Sequence, residues 1–122
     1  MTASQPPALL DPEAVRRLRE LDPTGGNRLV ERVVNAFSSS LERLLPDLAQ
    51  ARTDGQLDLA VVRHVSHTLK SSSASLGAMA LSARCADIEA MARDGRVDGL
   101  PEQLDAMLQD IQQVRVALAA LL

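Results

Sequence analysis

From residue 12 to residue 121 apolar side chains return every third or fourth position, and nowhere does the chain alternate apolar with polar in the manner of a strand. A chain of that period buries its apolar side chains as helices packed on helices, so an all-α fold is expected. Proline, glycine and aspartate divide the pattern. Asp11 as N-cap, Pro12 at the first helical position and Glu13 in the first turn start a short helix with Val15, Leu18 and Leu21 on its apolar face, and Asp22-Pro23-Thr24-Gly25-Gly26 ends it. A longer helix then carries Leu29, Val30, Val33, Val34, Phe37, Leu41, Leu44, Leu45 and Leu48 on one stripe. Pro46 is expected to kink it or to remove one backbone bond. Asp54-Gly55 breaks the chain, and a third helix follows from about Leu57 to Leu76, with Gly77 as its C-terminal cap. A fourth, Ala80 to Arg93, places Leu81, Cys85, Ile88 and Met91 or Ala92 on one side. The last starts at Pro101 and repeats Leu104, Leu108, Ile111, Val114 or Arg115, Leu118 and Leu121. Four long amphipathic helices behind one short helix give an antiparallel four-helix bundle over residues 11–122, with residues 1–10 as a proline-bearing lead-in or linker.

Composition narrows what such a bundle does. Phe37 is the only aromatic residue, so a nucleobase-stacking module is excluded. A net charge of −3 argues against holding a nucleic-acid backbone by bulk electrostatics. Cys85 stands alone, which rules out an internal disulfide and a cysteine-cluster zinc site, and it reads as a small core residue. Met79, Met91 and Met107 read as core fillers. The longest apolar run, Val116 to Leu122, is far too short to span a bilayer, and the stretch MTASQPPALLDP lacks the basic start and apolar core of a signal peptide. A cytoplasmic monomer without direct membrane insertion is the expectation.

The informative departure from packing is the histidine in VSHTLKSSS, residues 65–73. At about 100° per residue, Val61, Val62, Leu69, Ser72 and Leu76 fall within about 60° of Val65 and define the buried stripe of the third helix. His67 falls about 160° away and faces water. From Arg63 to Ser71 there is no carboxylate, so nothing local orients the imidazole as a base or binds a divalent ion with it. His64 and His67 are one turn apart, two ligands where zinc sites ordinarily use three or four. The outward face instead carries Arg63, Lys70, Ser71 and Ala74: cationic, with small side chains beside the ring. An exposed imidazole nitrogen is a nucleophile toward phosphorus, and Lys70 reaches the charge that the product gains. An exposed ion pair contributes only about 0.2–0.5 kcal/mol, whereas catalysed phosphoryl transfer needs barrier reductions of about 8 kcal/mol or more. The sequence therefore offers a nucleophile whose catalytic apparatus belongs to a partner.

The stretch His67-Thr-Leu-Lys70-Ser71-Ser-Ser-Ala-Ser-Leu76-Gly77-Ala78 resembles the phosphoacceptor segment of histidine-containing phosphotransfer (HPt) domains, whose usual pattern is His-x-x-Lys-Gly, small residues and a Leu-Gly-Ala ending. The resemblance continues through Leu81, Cys85, Ile88-Glu89 and Arg93-x-Gly95 and covers residues 11–122. It implies that His67 accepts a phosphoryl group from a receiver-domain aspartate and passes it to another response regulator, that Lys70 helps hold that group, and that Ser71 borders the docking surface in place of the family glycine. Arg63, His64 and Ala74 would touch the partner, a receiver domain or a hybrid sensor histidine kinase. The chain would need no cofactor of its own, with Mg2+ residing in the receiver, and would be a phosphocarrier rather than an enzyme. The other reading is a helical adaptor of the same fold that binds a receiver domain or regulatory enzyme without relaying phosphate.

Overall fold

The computed structural model describes residues 9–53 and 55–122. Its elements are all helices: α1 Pro12–Glu20, α2 Leu29–Ala51, α3 Leu59–Ser75, α4 Met79–Arg93 and α5 Leu100–Ala119. The expected lead-in falls mostly on residues 1–8, outside the described residues, as does Asp54 of the α2–α3 break. Among the described residues no helix is long and apolar enough to cross a membrane.

Helix ends follow local chemistry. The Asp11 carboxylate accepts the Glu13 amide at 3.0 Å and starts α1, with Pro12 where a missing N–H costs nothing. Asp58 does the same for α3 through the Val61 amide at 3.3 Å. α2 has no capping side chain at Arg28, which sits in the left-handed region at φ 51°. Asp22 stands in: its nearly buried carboxylate accepts the amides of Asn27 and Leu29 at 3.1–3.2 Å, so the loop ahead of α2 supplies the cap that Arg28 lacks. α2 continues through Pro46 to Ala51.

The long helices pack in a closed ring, α2 on α3, α3 on α4, α4 on α5 and α5 back on α2, with α1 lying against α2. Leu41, Leu48, Val62, Val65, Leu69, Leu81, Ile88, Leu104, Met107, Ile111 and Leu118 fill the interior, at about 25 cal/mol per Å² of apolar area removed from water. The α3–α4 pair packs most extensively. Serine makes that approach close: Ser66, Ser73 and Ser82 are buried along it, the Ser66 hydroxyl donates to the Val62 carbonyl at 2.7 Å, and the Ser82 hydroxyl crosses to the Lys70 carbonyl at 2.8 Å. The hairpin turns at Gly77, φ 79°, where the Ala78 amide reaches the Ser73 carbonyl at 2.9 Å and the Gly77 amide reaches the Ala74 carbonyl at 3.0 Å, a Schellman ending. The Gly77 carbonyl accepts the Asp11 amide at 2.7 Å, and a β-carbon there would stand 2.8 Å from that of Ala14, so α1 is seated on the turn by a residue that only glycine satisfies.

Three expectations about burial change. Leu21 lies beyond the end of α1 and is 74% exposed, because α1 caps the bundle by its Val15–Leu18 side alone. Met79 is exposed at the first turn of α4 rather than in the core, whereas Met107 is fully buried and Met91 packs at the core's edge. The buried stripe of α3 is rotated toward α4: Ser66 and Ser73 are inside, and Val61 and Ser72 are half-exposed. The Ser66 and Ser73 side chains are small enough to be enclosed there, and the Ser66 hydroxyl is satisfied within its own helix at the Val62 carbonyl.

Candidate functional site

His67 lies on the outward side of α3, its side chain 64% exposed, while Val65 two residues earlier is fully buried. Arg63, His64, Ser71 and Ala74 are exposed along the same helix, and Ala60, Arg63, His64, His67 and Glu89 line one shallow depression. The predicted site residues therefore share one surface, centred on the α3–α4 seam.

Glu89 changes the character of that surface. No acid lies near His67 along α3, but α4 brings this carboxylate across the seam. Its Oε2 is 2.7 Å from His67 Nδ1, and its Oε1 is 2.6 Å from Lys70 Nζ. Nothing local along α3 orients the imidazole, as the sequence indicates; helix packing supplies from another element what the local sequence lacks. Lys70 is likewise not a free cation awaiting a phosphoryl group but is engaged by the same carboxylate, and its side chain is only about a third exposed.

The Glu89 side chain is 16% exposed. The Lys70 ammonium foremost, and then the His67 ring, hold its carboxyl below the usual glutamate range against the opposing cost of partial burial. An ionised carboxylate only accepts, so the hydrogen between Glu89 and the ring belongs to Nδ1. In the neutral ring Nε2 then carries the lone pair, and it makes no hydrogen bond among the described residues. The arrangement is an exposed nitrogen nucleophile whose far side is fixed by an anion, with an ammonium group one helical turn away.

The remaining chemically notable groups are differently disposed. Cys85 is fully buried, its sulfur 3.8 Å from that of Met107, and burial pushes its thiol up to about 12, where it is an inert core residue. His64 faces a second depression with Asp47 and Asp58 and has no contact with Glu89 or His67 through its ring nitrogens. Among the described residues no three His, Cys, Asp or Glu side chains are gathered to hold a metal ion.

Glu89 was not singled out by sequence reasoning, although a signal existed. Folding a helical hairpin about Gly77 sets position 89, twelve beyond the turn, opposite position 65, twelve before it. Ser82 and Glu89, two turns apart on α4, lie on the side that meets α3, as the Ser82 contact with Lys70 and the Glu89 contact with His67 show.

Comparison with known proteins agrees with this geometry. The family model described as Hpt domain matches residues 32–117, a span that runs from the first turn of α2 nearly to the end of α5 and includes His67, Lys70 and Glu89. No curated protein matches the chain. The crystal structure of histidine-containing phosphotransfer protein B from Pseudomonas aeruginosa PAO1 superposes with a TM-score of 0.72 over 94% of this chain and 95% of that one, at 23% sequence identity, and so shares its fold. A match over most of the bundle, on a helical hairpin that presents an unencumbered imidazole nitrogen, places this chain in the Hpt domain family, the histidine phosphotransfer carriers of phosphorelays.

Proposed function

We propose that His67 is the phosphoacceptor and that Nε2 is the atom that bonds phosphorus. The Nε2 lone pair attacks the phosphorus of a receiver-domain aspartyl phosphate, the P–O bond to aspartate breaks, and the aspartate leaves as carboxylate. Reversal toward a second receiver completes the relay. The supporting observation is the 2.7 Å contact of Glu89 with Nδ1, which occupies one ring nitrogen and leaves the other turned to solvent. Lys70, within reach of the same carboxylate, shifts toward the arriving phosphoryl oxygens and offers a charge-assisted hydrogen bond to them. Mg2+ and the acceptor aspartate belong to the receiver, which supplies most of the barrier lowering. Arg63, His64, Ser71 and Ala74 surround the ring as the docking surface; Ser71 and Ala74 are small enough for a second protein to come within reach of Nε2. The working unit is the single bundle, at the cytoplasmic side of a hybrid sensor kinase or as a free carrier.

Incubation with a phosphorylated receiver domain tests this reading. The expected product is an acid-labile, base-stable phosphoprotein that forms with wild type and not with His67→Ala. A wild-type chain that binds the receiver without acquiring label is an adaptor, and label retained by His67→Ala places the acceptor elsewhere.

A further inference from the structure

With His67 as the acceptor proposed above, Glu89 faces the ring that changes charge when the phosphoryl group arrives. When Nε2 takes the phosphoryl group, both ring nitrogens carry a substituent, and the ring is a cation for as long as Nδ1 keeps its hydrogen. The groups around it mostly oppose that charge. Lys70 and Arg63 flank it on α3, and Arg93 lies within electrostatic reach of Glu89 one turn further along α4. His64 is a neighbour on α3, and Asp47 of α2 lies on its far side rather than against His67. α5 packs on α4 and α2, away from the ring. Among the described residues Glu89 is the only carboxylate in contact with the imidazole.

We propose that Glu89 keeps the proton on Nδ1 through the whole relay cycle, so that phosphoryl groups enter and leave His67 without proton release. On entry the Nε2–P bond forms, the P–O bond breaks, and the Nδ1 hydrogen stays between ring and carboxylate. On exit the Nε2–P electron pair returns to the ring, which departs as neutral imidazole. Were Nδ1 bare, the same step would expel an imidazolate anion, a far poorer leaving group. Glu89 therefore acts as a positioning residue through the ring, and it keeps onward transfer from phosphorylated His67 insensitive to pH across the neutral range. Lys70 exchanges partners meanwhile: its bond to Glu89 yields to the phosphoryl oxygens, and the freed carboxylate is balanced by the imidazolium it now faces.

The test is 15N NMR of the ring nitrogens in protein phosphorylated with phosphoramidate, followed from pH 6 to pH 9 in wild type and Glu89→Gln. An adjacent opposite charge moves such an equilibrium by about one pH unit or more, so the wild-type Nδ1 should stay protonated to a pH higher by at least that amount than in Glu89→Gln. Onward transfer to a receiver should then fall about tenfold more steeply with rising pH in the variant. The same wild-type sample, unfolded in urea with its base-stable phosphohistidine intact, gives an independent reference and should lose the proton at the lower pH too. Coincident midpoints in folded wild type, folded variant and unfolded chain would overturn the inference. A wild-type protein with no phosphoryl group on His67 would instead remove the acceptor assignment itself, which separates the two failures.

Discussion

Two charged clusters stitch α4 to its neighbours, and they differ in one respect. On the α4–α5 side Arg84 donates to Asp110 at 2.5 Å and to the Gln103 side-chain oxygen at 3.0 Å, and each charged member is at most a third exposed. On the α3–α4 side Glu89 binds Lys70 and His67 in much the same way, but one member, the imidazole, has a second nitrogen left over in an exposed ring. The first cluster is closed in the chemical sense: guanidinium and carboxylate answer one another, and neither is a nucleophile toward phosphorus. The second is open by one lone pair. Similar electrostatic components therefore serve cohesion on one seam and chemistry on the other, and the residue that separates the two outcomes is a histidine, whose second ring nitrogen offers a lone pair that a guanidinium lacks.

Substitutions probe that contrast. The largest effect should come from the open cluster. Lys70→Ala removes a charged donor to the phosphoryl group, a bond of about 1.5–3 kcal/mol, and should slow transfer from a phosphorylated receiver by roughly ten- to a hundredfold, while the melting temperature falls by less than in Arg84→Ala because Glu89 keeps His67 as a partner. A variant of normal transfer rate but low melting temperature would show that Lys70 serves the seam alone. Arg84→Ala should do the reverse. It strands Asp110 without its partner, costs about 1 kcal/mol and lowers the melting temperature by about 4 °C, while transfer stays at the wild-type rate. Slowed transfer in Arg84→Ala at full stability would dissolve the distinction between the clusters. The smallest change is Ser71→Gly, which restores the family residue at an exposed helical position: stability should drop by about 0.5 kcal/mol in thermal unfolding, and transfer should rise as the site beside the ring opens.

How much of this was visible in the residues follows from the range of each interaction. The stripes of α2 and α5 and the outward aim of His67 are set by period, a property of neighbouring residues, and the structure keeps them: Leu41, Leu48, Leu104, Ile111 and Leu118 are inside, and His67 is out. Caps were legible for the same reason at Asp11 and Gly77. The cap of α2 was not, because it comes from Asp22 across a loop. Ser66 and Ser73 looked polar, and their burial depends on how near α4 approaches. Glu89 failed to register for a related reason. Its role arises from a residue 22 positions away, and a search confined to one helical turn around His67 does not reach it. The face of a helix is written locally; what stands across from it is written in the hairpin.

The difference between a closed and an open cluster reduces to which ring nitrogen is occupied, and that is measurable. Heteronuclear 31P–15N NMR on the phosphorylated chain identifies the bonded nitrogen directly. The phosphorus is expected on Nε2 of His67, with Nδ1 still bearing hydrogen against Glu89. Phosphorus on Nδ1, the nitrogen that Glu89 occupies, would contradict the account.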